Sequence, residues 1–215
     1  MRSAAAEAVG TALLLAAVVG SGIMGERLAG GNAAIALLAN SLATGFALIA
    51  LIIAFAPRSG AHFNPVVSAA LALRGNFPPT RLLAYVVAQF AGALLGVLLA
   101  HAMFDQPLWQ ASMTVRSSPG QWLSELVATF GLVFLVLSID ARRAFAAPFA
   151  IGSYIAAAYW FTASTSFANP AVTLARGFTA TFAGIGLGNV PAFVISQLIG
   201  AALALVADKA LRQNP

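Results

Sequence analysis

A chain of 215 residues that is 60% hydrophobic and only 8% charged, with a mean hydropathy of +0.90, has too little polar surface for a soluble domain, where about a quarter of residues are charged. Its formal charge of +5 comes from 11 Lys and Arg against 6 Asp and Glu, spread through short connections rather than gathered in a patch or stripe, which excludes a nucleic-acid surface. With no cysteine and 2 histidines, it offers no disulfide, thiolate metal site, catalytic triad or metal cluster, so an integral membrane protein without enzymatic activity or cofactor is expected.

A membrane-crossing helix needs about 20 mostly apolar residues. The first candidate, 4–24, follows Arg2 and looks like a signal peptide, but Glu7 is misplaced in such an apolar region, so it reads as a retained helix. Further spans follow at 33–56, 80–104, 119–139, 144–163 and 190–210. Two more helical segments, 64–74 and 169–177, are too short to cross. At 1.5 Å per residue each covers roughly half the hydrocarbon thickness.

The halves repeat one another. AEAVGTALLLAAVVG around Glu7 matches SELVATFGLVFLVLS around Glu125, FNPVVSAALAL matches ANPAVTLARGF, and AQFAGALLGVLLA around Gln89 matches SQLIGAALALVA around Gln197. The order is the same in both, so residues 1–110 and 111–215 read as two copies of a unit of three spans and one half-helix within one structural domain. An odd number of spans turns the second copy upside down. The expected fold is therefore an all-α membrane protein of six transmembrane helices and two re-entrant half-helices. With the N-terminus inside, Arg2, Arg58, Arg74, Arg81, Arg142, Arg143, Lys209 and Arg212 are cytoplasmic, and only Arg27, Arg116 and Arg176 lie outside. Both termini are then cytoplasmic.

Each short segment opens on Asn-Pro, Asn64-Pro65 and Asn169-Pro170, after a polar loop of small residues. Asn suits the N-cap and Pro the first helical position. Irregular backbone at membrane depth is tolerated only where protein buries it or a wet cavity receives it. The inverted repeat brings the two helix N-termini together near the midplane. Their partial positive charges there repel cations, while the Asn amides donate to passing neutral oxygens.

These residues, SGAHFNPVVS and NPAVTLAR with the Glu7/Glu125 and Gln89/Gln197 pairs, resemble the aquaporin or major intrinsic protein family over essentially the whole chain. The resemblance implies a homotetramer of six-helix protomers in the lipid bilayer, each with its own pore for water and small neutral solutes. It makes Asn64, Pro65, Val66 and Asn169, Pro170, Ala171 the pore motifs, with Val66 standing where the family has Ala. Counting from the motifs as the family is built places the narrow filter at Thr44, Ala157, Ser166 and Val172, the last where the family usually carries Arg. Four small uncharged residues make a wide filter. NPAV resembles a bacterial aquaglyceroporin-like branch associated with metalloids. The expected function is passive conduction of glycerol-sized solutes, arsenite-like and antimonite-like neutral hydroxides, and water, in a bacterial-type plasma membrane. The lack of cysteine suits a conduit for thiol-seeking trivalent arsenic.

Arg176, one helical turn after Val172, is expected to snorkel outward, bind loop carbonyls or line a vestibule. If it reached back into the filter, a water-selective channel would result. Glu7 and Glu125 read as acceptors for the re-entrant loops' backbone donors. If they instead moved protons, the chain would be an ion-coupled secondary transporter. His62, two residues before Asn64, is expected at the vestibule, His101 shows no partner, and Trp109, Trp122 and Trp160 read as interface or packing aromatics.

Overall fold

Local signals in the sequence set where each helix starts and stops. The computed structural model describes residues 1–139 and 141–212. α1 spans Arg2–Leu28 and α2 Ala33–Ser59, the latter started by Asn32, whose Oδ1 accepts from the Ala34 and Ile35 N–H groups at 3.0 and 3.3 Å. Gly60, at φ 88°, ends α2 in the left-handed region that glycine enters without a Cβ clash. α3 is the half-helix Pro65–Arg74, and α4 (Leu82–Met103) continues from a 3₁₀ turn at Pro79–Arg81. α5 (Pro119–Ser138) opens on a reciprocal capping box between Ser118 and Gln121. α6 is Ala147–Phe161, α7 the second half-helix Pro170–Ala175, and α8 Val190–Leu211.

Six helices are long and apolar enough to cross a membrane, and the fold is all-helical among the described residues. Leu38, Leu42 and Phe46 on α2 and Leu198, Ile199 and Leu203 on α8 are exposed, an apolar exterior that a soluble monomer avoids and lipid accepts. α7 is shorter than the expected 169–177: the chain tightens into a 3₁₀ turn at Arg176–Phe178. The side chains of Arg142 and Arg143, counted in the charge asymmetry, lie outside the described residues, as do the last positions of the 111–215 segment.

The closest helix pairs are α1 with α4 and α5 with α8. Gly96 lets α4 lie against the Ala12 carbonyl of α1, and Gly200 lets α8 lie against the Leu126 carbonyl of α5. Helix association in lipid rests on such backbone approach, since the surrounding tails are as apolar as the side chains. At the end of the bundle that carries both termini, Arg74 at the end of α3 pairs with Asp208 of α8 at 2.7 Å, and Arg212 joins the same carboxylate. At the opposite end, Arg27 donates to the Phe104 carbonyl at 2.9 Å. His101, expected to lack a partner, has two there. Its Nδ1 lies 2.8 Å from the Leu108 carbonyl oxygen and its Nε2 2.8 Å from Thr179 Oγ1, tying the α4–α5 connection to the segment after α7.

Candidate functional site

α3 and α7 enter from opposite ends and meet at their N-termini. Asn64 Oδ1 accepts from the Val66 N–H at 3.1 Å, and Asn169 Oδ1 accepts from Ala171 and Val172 at 3.0 and 3.3 Å, so each Asn caps its own half-helix. Their amides also cross-link the two loops. Asn64 Nδ2 donates to the Ala168 carbonyl and Asn169 Nδ2 to the Phe63 carbonyl, both at 2.8 Å. An amide nitrogen carries two hydrogens, so each Asn keeps a second donor with no partner among the described residues. Pro65 and Pro170 occupy the first helical positions, and Val66, Pro65, Pro170 and Ala171 are buried where the half-helices abut.

The loops leading into these caps bend in the same way. Ala61 and Phe63 before Asn64 have φ of 52° and 50°, and Ser166 and Ala168 before Asn169 have φ of 50° and 48°. Non-glycine residues there cost on the order of 1–3 kcal/mol each and persist only when their surroundings hold them. A buried carboxylate does that in both loops. Glu7 accepts from the backbone N–H of His62 at 3.0 Å and of Phe63 at 2.6 Å, with Ser59 Oγ and Gln89 Nε2 completing its contacts. Glu125 accepts from Phe167 and Ala168, both at 2.8 Å, and from Gln197 Nε2 at 2.6 Å. Both carboxylates are fully buried, and neither lines the cavity described next.

A cavity of about 740 Å³ runs between the half-helices and α1, α2, α5 and α6. Both Asn64 and Asn169 line it, with His62, Gly60 and Pro57 towards the termini and Thr44, Tyr159, Phe167 and Arg176 away from them. On α2, Thr44 and Pro57 are 13 positions apart, about 20 Å of helix, so the lining covers most of a bilayer's hydrocarbon depth. Most of the lining is apolar, and it contains no Asp, Glu or Lys among the described residues. His62 Nδ1 lies 3.0 Å from Ser68 Oγ, which also accepts from Gln89 Nε2 at 2.9 Å.

Of the expected filter residues, Thr44, Ser166 and Val172 line the cavity and are buried. Ala157 does not. It is exposed on the outer surface of α6, and Tyr159 stands in its place, with its hydroxyl 3.3 Å from Thr44 Oγ1. Two residues of α-helix turn through about 200°, so Ala157 and Tyr159 face opposite ways, whereas Ile155 and Tyr159 share the cavity side. The irregular segment 162–168 between α6 and Asn169 does not carry helical phase from one to the other. Arg176 does not snorkel either: only 2% exposed, it donates through Nε to the Ala183 carbonyl and stacks with its guanidinium carbon 3.3 Å from the centre of the Phe167 ring. Tyr159 and Phe167 are the lining residues that sequence reasoning missed. The Ile155-to-Tyr159 spacing could have found the first, while Phe167 sits in irregular backbone and had no periodic signal. No group of three His, Asp or Glu among the described residues could hold a metal ion.

A profile of the family described as Major intrinsic protein matches residues 1–168. The chain is 55% identical to aquaglyceroporin AqpS of Rhizobium meliloti (strain 1021) over 99% of its own length and 91% of the relative's. It is 32% identical to Aquaporin Z of Bradyrhizobium diazoefficiens, covering 100% of this chain and 95% of that one. In solved structures, it superposes on the aquaglyceroporin from Plasmodium falciparum with a TM-score of 0.79 at 19% identity, covering 98% and 96% of the two chains, which is a likeness of fold. A cavity framed by two capped half-helices, together with these matches, places the chain in the major intrinsic protein family of membrane channels.

Proposed function

We propose that the protein is a passive, bidirectional channel of the aquaglyceroporin type, conducting glycerol-sized neutral solutes, neutral metalloid hydroxides such as arsenous acid, and water. The observation that carries this reading is the cavity itself: apolar walls, two Asn amides with a donor each to spare, and no carboxylate in the lining among the described residues. Apolar walls with a few fixed donors suit neutral polyhydroxylated molecules. The 55% identity to a relative named aquaglyceroporin supports this class over a water-selective one. Ion coupling would need an ionisable carboxylate on the path. Glu7 and Glu125 are instead saturated by loop donors behind the wall.

In this reading Thr44, Ser166, Val172 and Tyr159 form the narrow filter, and Asn64 and Asn169 bind the solute at mid-path. The chain comprises two inverted copies, 1–110 and 111–215, sits in a bacterial plasma membrane with both termini in the cytoplasm, and assembles as a homotetramer. Proteoliposomes followed by stopped-flow light scattering test the substrate class. The native protein is expected to pass water, glycerol and arsenous acid, and Val172→Arg to reduce glycerol flux about tenfold or more while sparing water. Native vesicles permeable to water alone would contradict it.

A further inference from the structure

Resting on the channel reading above, we infer that Arg176 is the charged, specificity-determining residue of this pore: it stands at one end of the cavity and there repels cations while offering donors to neutral oxygens. No residue beyond Thr44 on α2 or Tyr159 on α6, in the direction away from the termini, lines the cavity, so its lining ends at the level where the Thr44 and Tyr159 hydroxyls pair and Arg176 stacks on Phe167. Arg176 is part of that end of the lining and is only 2% exposed. An arginine so deeply buried normally has a carboxylate partner. Here every ion pair among the described residues involves Asp208, at the other end of the bundle.

Only Nε of Arg176 has a protein acceptor, the Ala183 carbonyl, and the two terminal nitrogens donate to no atom among the described residues. Neither is among the buried polar atoms without a partner, so both reach open space, and the space bordering this side chain is the cavity. The guanidinium is held flat by Phe167, whose ring also lies 5.1 Å from the guanidinium carbon of Arg116. Arg116 is not part of the lining. It secures the surrounding loop through the Gly184 and Ser164 carbonyls at 2.9 and 3.3 Å. A side chain on a helix leans towards the helix N-terminus, which brings Arg176 back over Val172 rather than out into solvent. Four spare N–H donors and one unneutralised charge therefore stand where a solute must pass, and with the small Val172 beneath it the arginine leaves room for glycerol, so its reaching back does not make this pore water-selective.

The test is potassium and proton flux in proteoliposomes of the full-length protein, measured beside glycerol flux, for native, Arg176→Lys, Arg176→Gln and Arg176→Gln/Val172→Arg. The native protein and Arg176→Lys are expected to be cation-tight. Arg176→Gln, which has no charge, should leak cations about tenfold or more above native, since a unit charge about 5 Å from a passing ion in a protein-like medium exceeds thermal energy several-fold. Moving the charge one turn, in the double variant, should restore tightness and lower glycerol flux. If Arg176→Gln stays as tight as native, or if Arg176→Lys leaks as much as Arg176→Gln, the residue acts only as a loop brace and the inference is overturned. Native vesicles that pass neither glycerol nor water would instead overturn the channel reading.

Discussion

At the scale of single residues, the re-entrant loops depend on two carboxylates. Left-handed φ angles at Ala61 and Phe63, and again at Ser166 and Ala168, are held by charge-assisted bonds to Glu7 and Glu125. Glu125→Gln replaces an acceptor oxygen by an amide facing backbone N–H groups, leaving a donor opposed to a donor at a fully buried site. A loss of about 2–3 kcal/mol is expected, read as a lower thermal midpoint of the purified protein in detergent together with loss of glycerol flux. An unchanged midpoint would show that the loop holds its shape without the carboxylate. These braces were legible in the sequence, because an ionisable residue in each of two matching spans demands a partner, and each loop had donors to supply. The filter was less legible. Thr44, Ser166 and Val172 could be counted along regular helix or short loop, but Ala157 was reached by counting through seven irregular residues between α6 and Asn169, enough to rotate the answer onto the lipid face.

Among the elements, backbone approach between helices is what lets six spans surround a cavity of this size. A Cβ at Gly200 would meet the Leu126 carbonyl, and one at Gly96 the Ala12 carbonyl. Gly200→Val is expected to cost about 1–3 kcal/mol by overpacking, whereas Gly188→Ala, with nothing within 4 Å, should be neutral. Thermal denaturation of the two variants side by side checks this, and equal midpoints would refute the role given to close packing of α5 and α8. Helix positions were readable to within a few residues because apolar runs and the two Asn-Pro pairs mark them chemically. The early end of α7 was not, since a helical turn and a 3₁₀ turn share the same residue preferences and differ only by packing against the following loop. The two partners of His101 were hidden for another reason: both come from segments without periodicity.

For the whole molecule, the surface and the cavity have opposite chemistry for one purpose. An apolar exterior suits the bundle to lipid, and the cavity carries a few fixed donors, the imidazole of His62 and, as its one arginine among the described residues, Arg176. The orientation proposed above places the C-terminus in the cytoplasm. A reporter fused after the last helix and active only in the periplasm should therefore be silent, and an active one would reverse the topology. Cross-linking in native membranes should give species up to four protomers, and a monomer alone would remove the proposed assembly. In the function proposed above, solute moves through this cavity down its own gradient and is coupled to nothing. The deciding measurement is uptake of labelled glycerol into proteoliposomes, with and without imposed proton and sodium gradients. Uptake that reaches, and never exceeds, the external concentration under every gradient is the expected result; accumulation above it on imposing either gradient would show that transport is coupled.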